Sequence, residues 1–188
     1  MAVTVEAVIP LLRDVRDAEE AVAGQLRADL AAEPARDHRQ TLEDHIQEVD
    51  DHIHELNRRL EQLTARGPLS EAFIALGGQA VSTSRVLWRL TSGLPAAVRT
   101  GHNGHTPQRL LKDIEEEFAV AAKAAAAARA AERFADEIGD SLDADMLRGI
   151  RTDDERFLNN LDHSLEEAAD VVVRVKTSEA GGGTAPAS

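Results

Sequence analysis

Two stretches near the start of the chain hold residues with the types and spacing of metal ligands. Glu19 falls at helical spacing within an apolar rhythm of Leu12, Val15, Val22 and Leu26. A carboxylate on such a stripe is either a ligand turned into the core or a salt-bridged residue at the stripe's edge. Further on, His45, Glu48 and His52 follow one another at intervals of three and four residues, so they share one face of a helix. Acids and imidazoles pointing inward from adjacent helices are the material of metal sites inside bundles. Two carboxylates and an imidazole suit iron or manganese. Such cations take oxygen and imidazole ligands, and a bridging carboxylate can hold two ions together. The His45–Glu48–His52 face flanks a leucine seam rather than lying on it, so it looks either into a bundle centre or toward water. His38, His45 and His52 recur every seven residues, a spacing that also suits an edge position beside a hairpin interface.

The elements that must position these groups read as helices throughout. Helices are expected over about 5–32, 35–66, 70–91, 107–139 and 141–175. The second is the clearest: Leu42, Ile46, Val49, Ile53, Leu56, Leu60 and Leu63 alternate by four and three, a heptad seam. Arg66-Gly67-Pro68 stops it. The short third helix has a small-residue centre around Gly77-Gly78-Gln79-Ala80, and a Gly- and Pro-rich loop follows it. Thr106-Pro107 opens the next helix, whose middle is nearly pure alanine. Alanine has the strongest helix propensity and leaves little volume, so neighbours must approach closely. In the last helix Asp154 interrupts a stripe of Leu147, Ile150, Phe157, Leu161, Leu165 and Val172, as Glu19 interrupts the first. Residues 1–176 then form one bundle domain, and 177–188 a disordered tail of Gly, Ala, Ser and Thr. The expected architecture is all-α: four long helices, with one extra short helix in the crossover between the second and third long ones.

If the first hairpin turns near residues 33–34, Glu19 and Glu48 each lie about 14.5 residues from the turn, or about 22 Å along their helices. They would meet at one height.

Composition narrows the function. The chain has 188 residues and a net charge of −13. That charge argues against binding a nucleic-acid backbone or an anionic membrane surface. Tyrosine is absent and Trp88 stands alone, so no platform for stacking single-stranded bases is visible. The absence of cysteine excludes disulfides and thiolate sites and fits a reducing cytoplasm. No run of about 20 apolar residues spans a bilayer, and the opening MAVTVEAVIPLL lacks the basic leader of a secretion signal.

The stretch Leu12-Arg13-Asp14-Val15-Arg16-Asp17-Ala18-Glu19-Glu20-Ala21-Val22 resembles the opening helix of the YciF-type (domain of unknown function 892) ferritin-like proteins. The stretch His45-Ile46-Gln47-Glu48-Val49-Asp50-Asp51-His52-Ile53-His54-Glu55-Leu56 resembles their second helix. The resemblance covers the first 65 or so residues by motif and the rest by architecture alone. It implies a ferritin-like bundle with a di-iron centre, linked to stress responses, in which Glu19, Glu48 and His52 are ligands. The second half departs from the family pattern. Where the family's third long helix offers a Glu, this chain has Ala124. The nearest inward acids are Glu117, two turns early, and Glu132, two turns late. In the last helix Asp153-Asp154-Glu155 matches an acidic pair, but Leu158 occupies the position of a further acid. The candidate ligands are therefore Glu19, Glu48, His52, Asp154, Glu117 and His45. Glu117 also reads as a solvated first-turn acid favoured by the helix dipole. A centre built from this set is either whole or half-built.

Two functions follow from different classes. One is a di-metal protein, ferroxidase-like, that handles iron together with O2 or peroxide. The other is a metal-free helical scaffold, dimerising or partner-binding, with the alanine-rich helix and the small-residue patch as contact faces. Either fits a homodimer or higher homo-oligomer. A ferritin-like shell protecting DNA lacks the lysine and arginine cluster that would hold phosphates. The His102-Asn103-Gly104-His105 loop reads as a surface metal contact or a plain loop, and Asp162-His163 as an exposed pair.

Overall fold

A computed structural model of the chain describes residues 5–32, 39–66 and 106–181. The expected short helix 70–91, the His102–His105 loop and most of the tail lie outside them. A 3-10 turn over Val5–Val8 leads into α1, Ile9–Ala32. Pro10 sits in its first turn, where a missing N–H costs nothing. α2 spans Arg39–Arg66, α3 Pro107–Ile138 and α4 Ser141–Gly181. All described regular elements are helical, and none is long and apolar enough to cross a membrane.

Local chemistry sets the boundaries. The Thr106 hydroxyl accepts from the Arg109 amide, and Pro107 takes the first helical position. Gly139 ends α3 at φ 75°, in the left-handed region, which costs glycine nothing. Asp140 then caps α4 by accepting from the Asp143 amide. α4 runs six residues past the expected end at 175. Thr177 and Ser178 turn their hydroxyls back onto the carbonyls of Val173 and Arg174, so these polar residues stay within the helix.

The helices pack as a four-helix bundle. α1 lies against α2 and α3, and α3 against α4, while of the neighbouring pairs α2 and α4 touch least. The core has two halves. One gathers Leu12 and Val15 with Leu56, Leu60, Ala128, Ala131, Leu147 and Ile150. The other gathers Val22 and Leu26 with Leu42, Val49, Ile114, Ala121, Ala124, Phe157 and Leu161. Each helix crosses both halves. α1 and α4 run from the first to the second, and α2 and α3 from the second to the first. Since α2 ends at the end of the bundle opposite to where α3 begins, the order is up-down-down-up.

Buried positions on α2 settle which way its histidines face. Leu42, Val49, Leu56 and Leu63 are buried, and so are His45, His52 and Arg59. Ile46 and Ile53 lie only half-buried beside them. The inward face is thus a three-four alternation of aliphatic residues with His, His and Arg.

Candidate metal centre

A polar layer divides the two halves of the core. Glu19 lies between Val15 and Val22 on α1, His52 between Val49 and Leu56 on α2, and Asp154 between Ile150 and Phe157 on α4. The three side chains each offer a ligand atom, and these atoms lie within 4.8 Å of one another. Glu19 and Asp154 are fully buried and His52 is 8% exposed.

The structure explains why His52, and not Glu48, meets Glu19. α1 ends at Ala32 and α2 begins at Arg39. The midpoint of that interval is 35.5, equidistant from residues 19 and 52. A turn centred at 33–34 would have paired 19 with 48. His52 Nδ1 stands 3.1 Å from Glu19 Oε2, and His52 Nε2 lies 3.3 Å from Asp153 Oδ2. Burial disfavours the charged imidazole, but the hydrogen bond and charge of Glu19, with Asp153 behind them, outweigh it and raise the His52 pKa.

Asp154 is under electrostatic strain. Burial first, then the charge of Glu19, push its carboxyl up to about 9. No donor of another residue reaches either of its oxygens or Glu19 Oε1, so near neutral pH the only hydrogen there is the proton that Asp154 keeps toward Glu19. Such buried carboxylate oxygens cost free energy until something positive faces them. A divalent cation does so directly. Two carboxylates and one imidazole, arriving from three helices into a dry interior, are the donor set that iron, manganese or zinc accepts. The bundle therefore contains a buried Glu/His/Asp group that could hold a metal.

The remaining candidates stand outside this group. Glu48 is half-exposed at the rim, where its Oε1 accepts from Arg156 at 2.7 Å and its Oε2 from His45 Nδ1 at 3.1 Å. His45 is buried and stacks on Phe157, with ring centroids 3.8 Å apart. Burial lowers its pKa against the pull of Glu48 and Glu19, so it is a neutral imidazole near pH 7. Its Nε2 has no partner among the described residues. Glu117 is fully buried on α3 and not a solvated acid, but it lies seven residues before Ala124, about 10 Å along the helix. Glu132 is held by Arg148 and Arg151. α3 puts nothing but alanine at the level of the triad: Ala121, Ala124, Ala125 and Ala128 are its buried residues there. Asp162 and His163 are exposed, as expected.

Polar bridges close the wide seam between α2 and α4. His52 reaches Asp153, Arg156 reaches Glu48, and at the far end Arg59 forks onto Asp143 at 2.5 and 3.1 Å and onto Asp140 at 3.2 Å. Beyond the Arg156–Glu48 bridge, on the side away from Arg59, a cleft of about 220 Å³ opens, lined by Thr41, Asp44, His45, Glu48, Arg156, Phe157 and Asn160. Sequence reading passed over Arg59 and Arg156, and named Asp153 only within an acidic pair. The signal for Arg59 was there: it continues the seven-residue series His38, His45, His52. Nothing in composition or spacing distinguished Arg156 from its charged neighbours.

Comparison with protein-family models, with curated proteins and with solved structures finds no match to this chain.

Proposed function

We propose that this chain is a ferritin-like metal protein of the YciF type that binds iron between α1, α2 and α4 and handles iron or oxidant under stress. The observation that carries the reading is the convergence of Glu19, His52 and Asp154 from three helices, with three of their carboxylate oxygens buried and lacking donors. The up-down-down-up order with one long connection supports the ferritin-like part. Iron held there supplies one-electron chemistry toward O2 or peroxide.

The residues divide the work by position. Glu19 and Asp154 neutralise the ion and fix it at the level of the polar layer. His52 supplies the nitrogen ligand, and Asp153 holds its far ring nitrogen, as carboxylates do behind ligating histidines. The aliphatic layers above and below keep bulk water out. Because α3 offers only alanine at this height, the centre is half-built and takes one ion tightly rather than two. Manganese is the competing occupant on ligand chemistry alone.

Equilibrium dialysis against Fe(II) under anaerobic conditions, followed by elemental analysis, tests this. One iron per wild-type chain is expected, with the ion lost in Glu19→Gln. A wild-type protein that stays metal-free under saturating Fe(II) refutes it. The partner-binding reading rests on a separate observation. Val171 and Val173 stand exposed on the last part of α4, two positions apart and so on different sides of the helix, each an apolar contact for a second copy of the chain. A sedimenting monomer at high concentration would remove that reading.

A further inference from the structure

Both histidines of the buried face lean on a carboxylate, and one arginine holds the two carboxylates. His45 Nδ1 lies 3.1 Å from Glu48 Oε2, and His52 Nε2 lies 3.3 Å from Asp153 Oδ2. Arg156 takes the remaining oxygen of each: its Nη2 donates to Glu48 Oε1 at 2.7 Å, and its Nη1 stands 2.8 Å from Asp153 Oδ1. The chain of contacts thus runs His45–Glu48–Arg156–Asp153–His52–Glu19, across the seam between α2 and α4.

We propose that Arg156 is a positioning residue, a guanidinium latch that presets His52 for a metal ion without touching the ion itself and holds the neighbouring His45 through the same fork. The inference rests on the metal-binding reading above and adds the device that orients its nitrogen ligand. A carboxylate can only accept, so Glu48 fixes the hydrogen of His45 on Nδ1 and leaves Nε2 with an open lone pair. Asp153 takes Nε2–H of His52, so the proton that Nδ1 shares with Glu19 is the one a metal ion would replace. Histidine ligands need this kind of partner on the other ring nitrogen to hold tautomer and ring orientation.

Glu48 and Asp153 cannot hold those positions unaided, because both are about one-third exposed and free to swing into water. The planar fork of Arg156 binds one oxygen of each and fixes the second oxygen against the ring. Stability is a poor explanation for this arrangement, since exposed ion pairs contribute almost nothing to it. Charge is no better, since a guanidinium beside a cation site repels the cation. A bridging role accounts for a positive group at that place.

The opposing signs make the test decisive. Removing a bystander cation strengthens binding of a divalent ion, whereas removing the latch weakens it. Co(II) binding is measured by chelator competition on wild type, Arg156→Gln, Arg156→Lys and Arg133→Ala, the last an exposed arginine on α3. Arg156→Gln is expected to lose about threefold to fivefold in affinity, the reach of ion pairs this exposed, because Arg156 touches the supporting carboxylates and not the histidines. Arg156→Lys keeps the charge without the fork and should fall between, and Arg133→Ala should match wild type. Nitrogen-15 NMR of the metal-free proteins near pH 8 gives the second readout. Wild-type His45 should show the Nδ1–H tautomer, and Arg156→Gln a mixture. Unchanged or tighter Co(II) binding in Arg156→Gln overturns the latch, as does an unchanged His45 tautomer. A wild-type protein that binds no Co(II) refutes the metal reading, and the tautomer measurement then decides the latch alone.

Discussion

Replacing Asp154 with Asn should leave the metal-free protein unharmed at neutral pH and make it more robust in alkali, while abolishing tight metal binding. An unfolded aspartate ionises near pH 3.9, whereas the folded group does so at about 9. Between those values the native state holds one more proton than the unfolded state. The stabilisation is therefore complete below about pH 4 and is lost as pH rises toward 9. The slope is about 1.4 kcal/mol per pH unit. From pH 6 to pH 8 the wild type should lose about 2.7 kcal/mol that Asn cannot lose. For a chain of this size that is a relative shift of about 5–11 °C in Tm. The assay is thermal melting of both proteins in chelator at pH 6, 7 and 8, scored as the difference between them. That subtraction removes the contribution of His52, whose raised pKa gives a slope of the same sign, present below about pH 6.5 and lost above its folded value. Parallel wild-type and variant profiles would refute the claim that Asp154 is a buried acid forced to keep its proton.

Other consequences follow from the same contacts. Metal entry must displace the Asp154 proton and the proton that Glu19 and Asp153 hold on His52, so Co(II) binding at pH 7 should release between about one and two protons per ion and weaken at least about tenfold per unit of pH decrease; calorimetry in buffers of different ionisation enthalpy measures both. Arg59→Ala strands the fully buried Asp143 carboxylate and should cost about 3–5 kcal/mol in urea unfolding. Arg59→Met with Asp143→Leu should recover most of that loss, because the orphaned charge is then gone. Gly139→Ala forces an alanine into the left-handed region at φ 75° and should cost about 1 kcal/mol by the same assay.

The bundle was readable because its helices obey the 3.6-residue period over long stretches. Leu12, Val15, Val22 and Leu26 are all buried, and Glu19 lies among them as the gap in the stripe implied. Asp154 was found on the same grounds. The phase of α2 was harder. Its buried face carries His45, His52 and Arg59 between aliphatic residues, so hydropathy alone leaned toward Ile46 and Ile53, which sit at the flank. Glu48 was paired with Glu19 by assuming a turn at 33–34. The observed interval from Ala32 to Arg39 shifts the register by four residues and brings His52 into place instead. Arg156 was invisible in the sequence. Its role depends on two carboxylates that meet across helices far apart in sequence, and no local pattern records such a meeting.

Anomalous scattering from crystals grown with Fe(II) measures the central claim most directly. The account predicts one strong iron peak per chain inside the bundle, about 2.1 Å from an oxygen of Glu19, a nitrogen of His52 and an oxygen of Asp154. An interior without such a peak, with iron found only on surface acids, would contradict it.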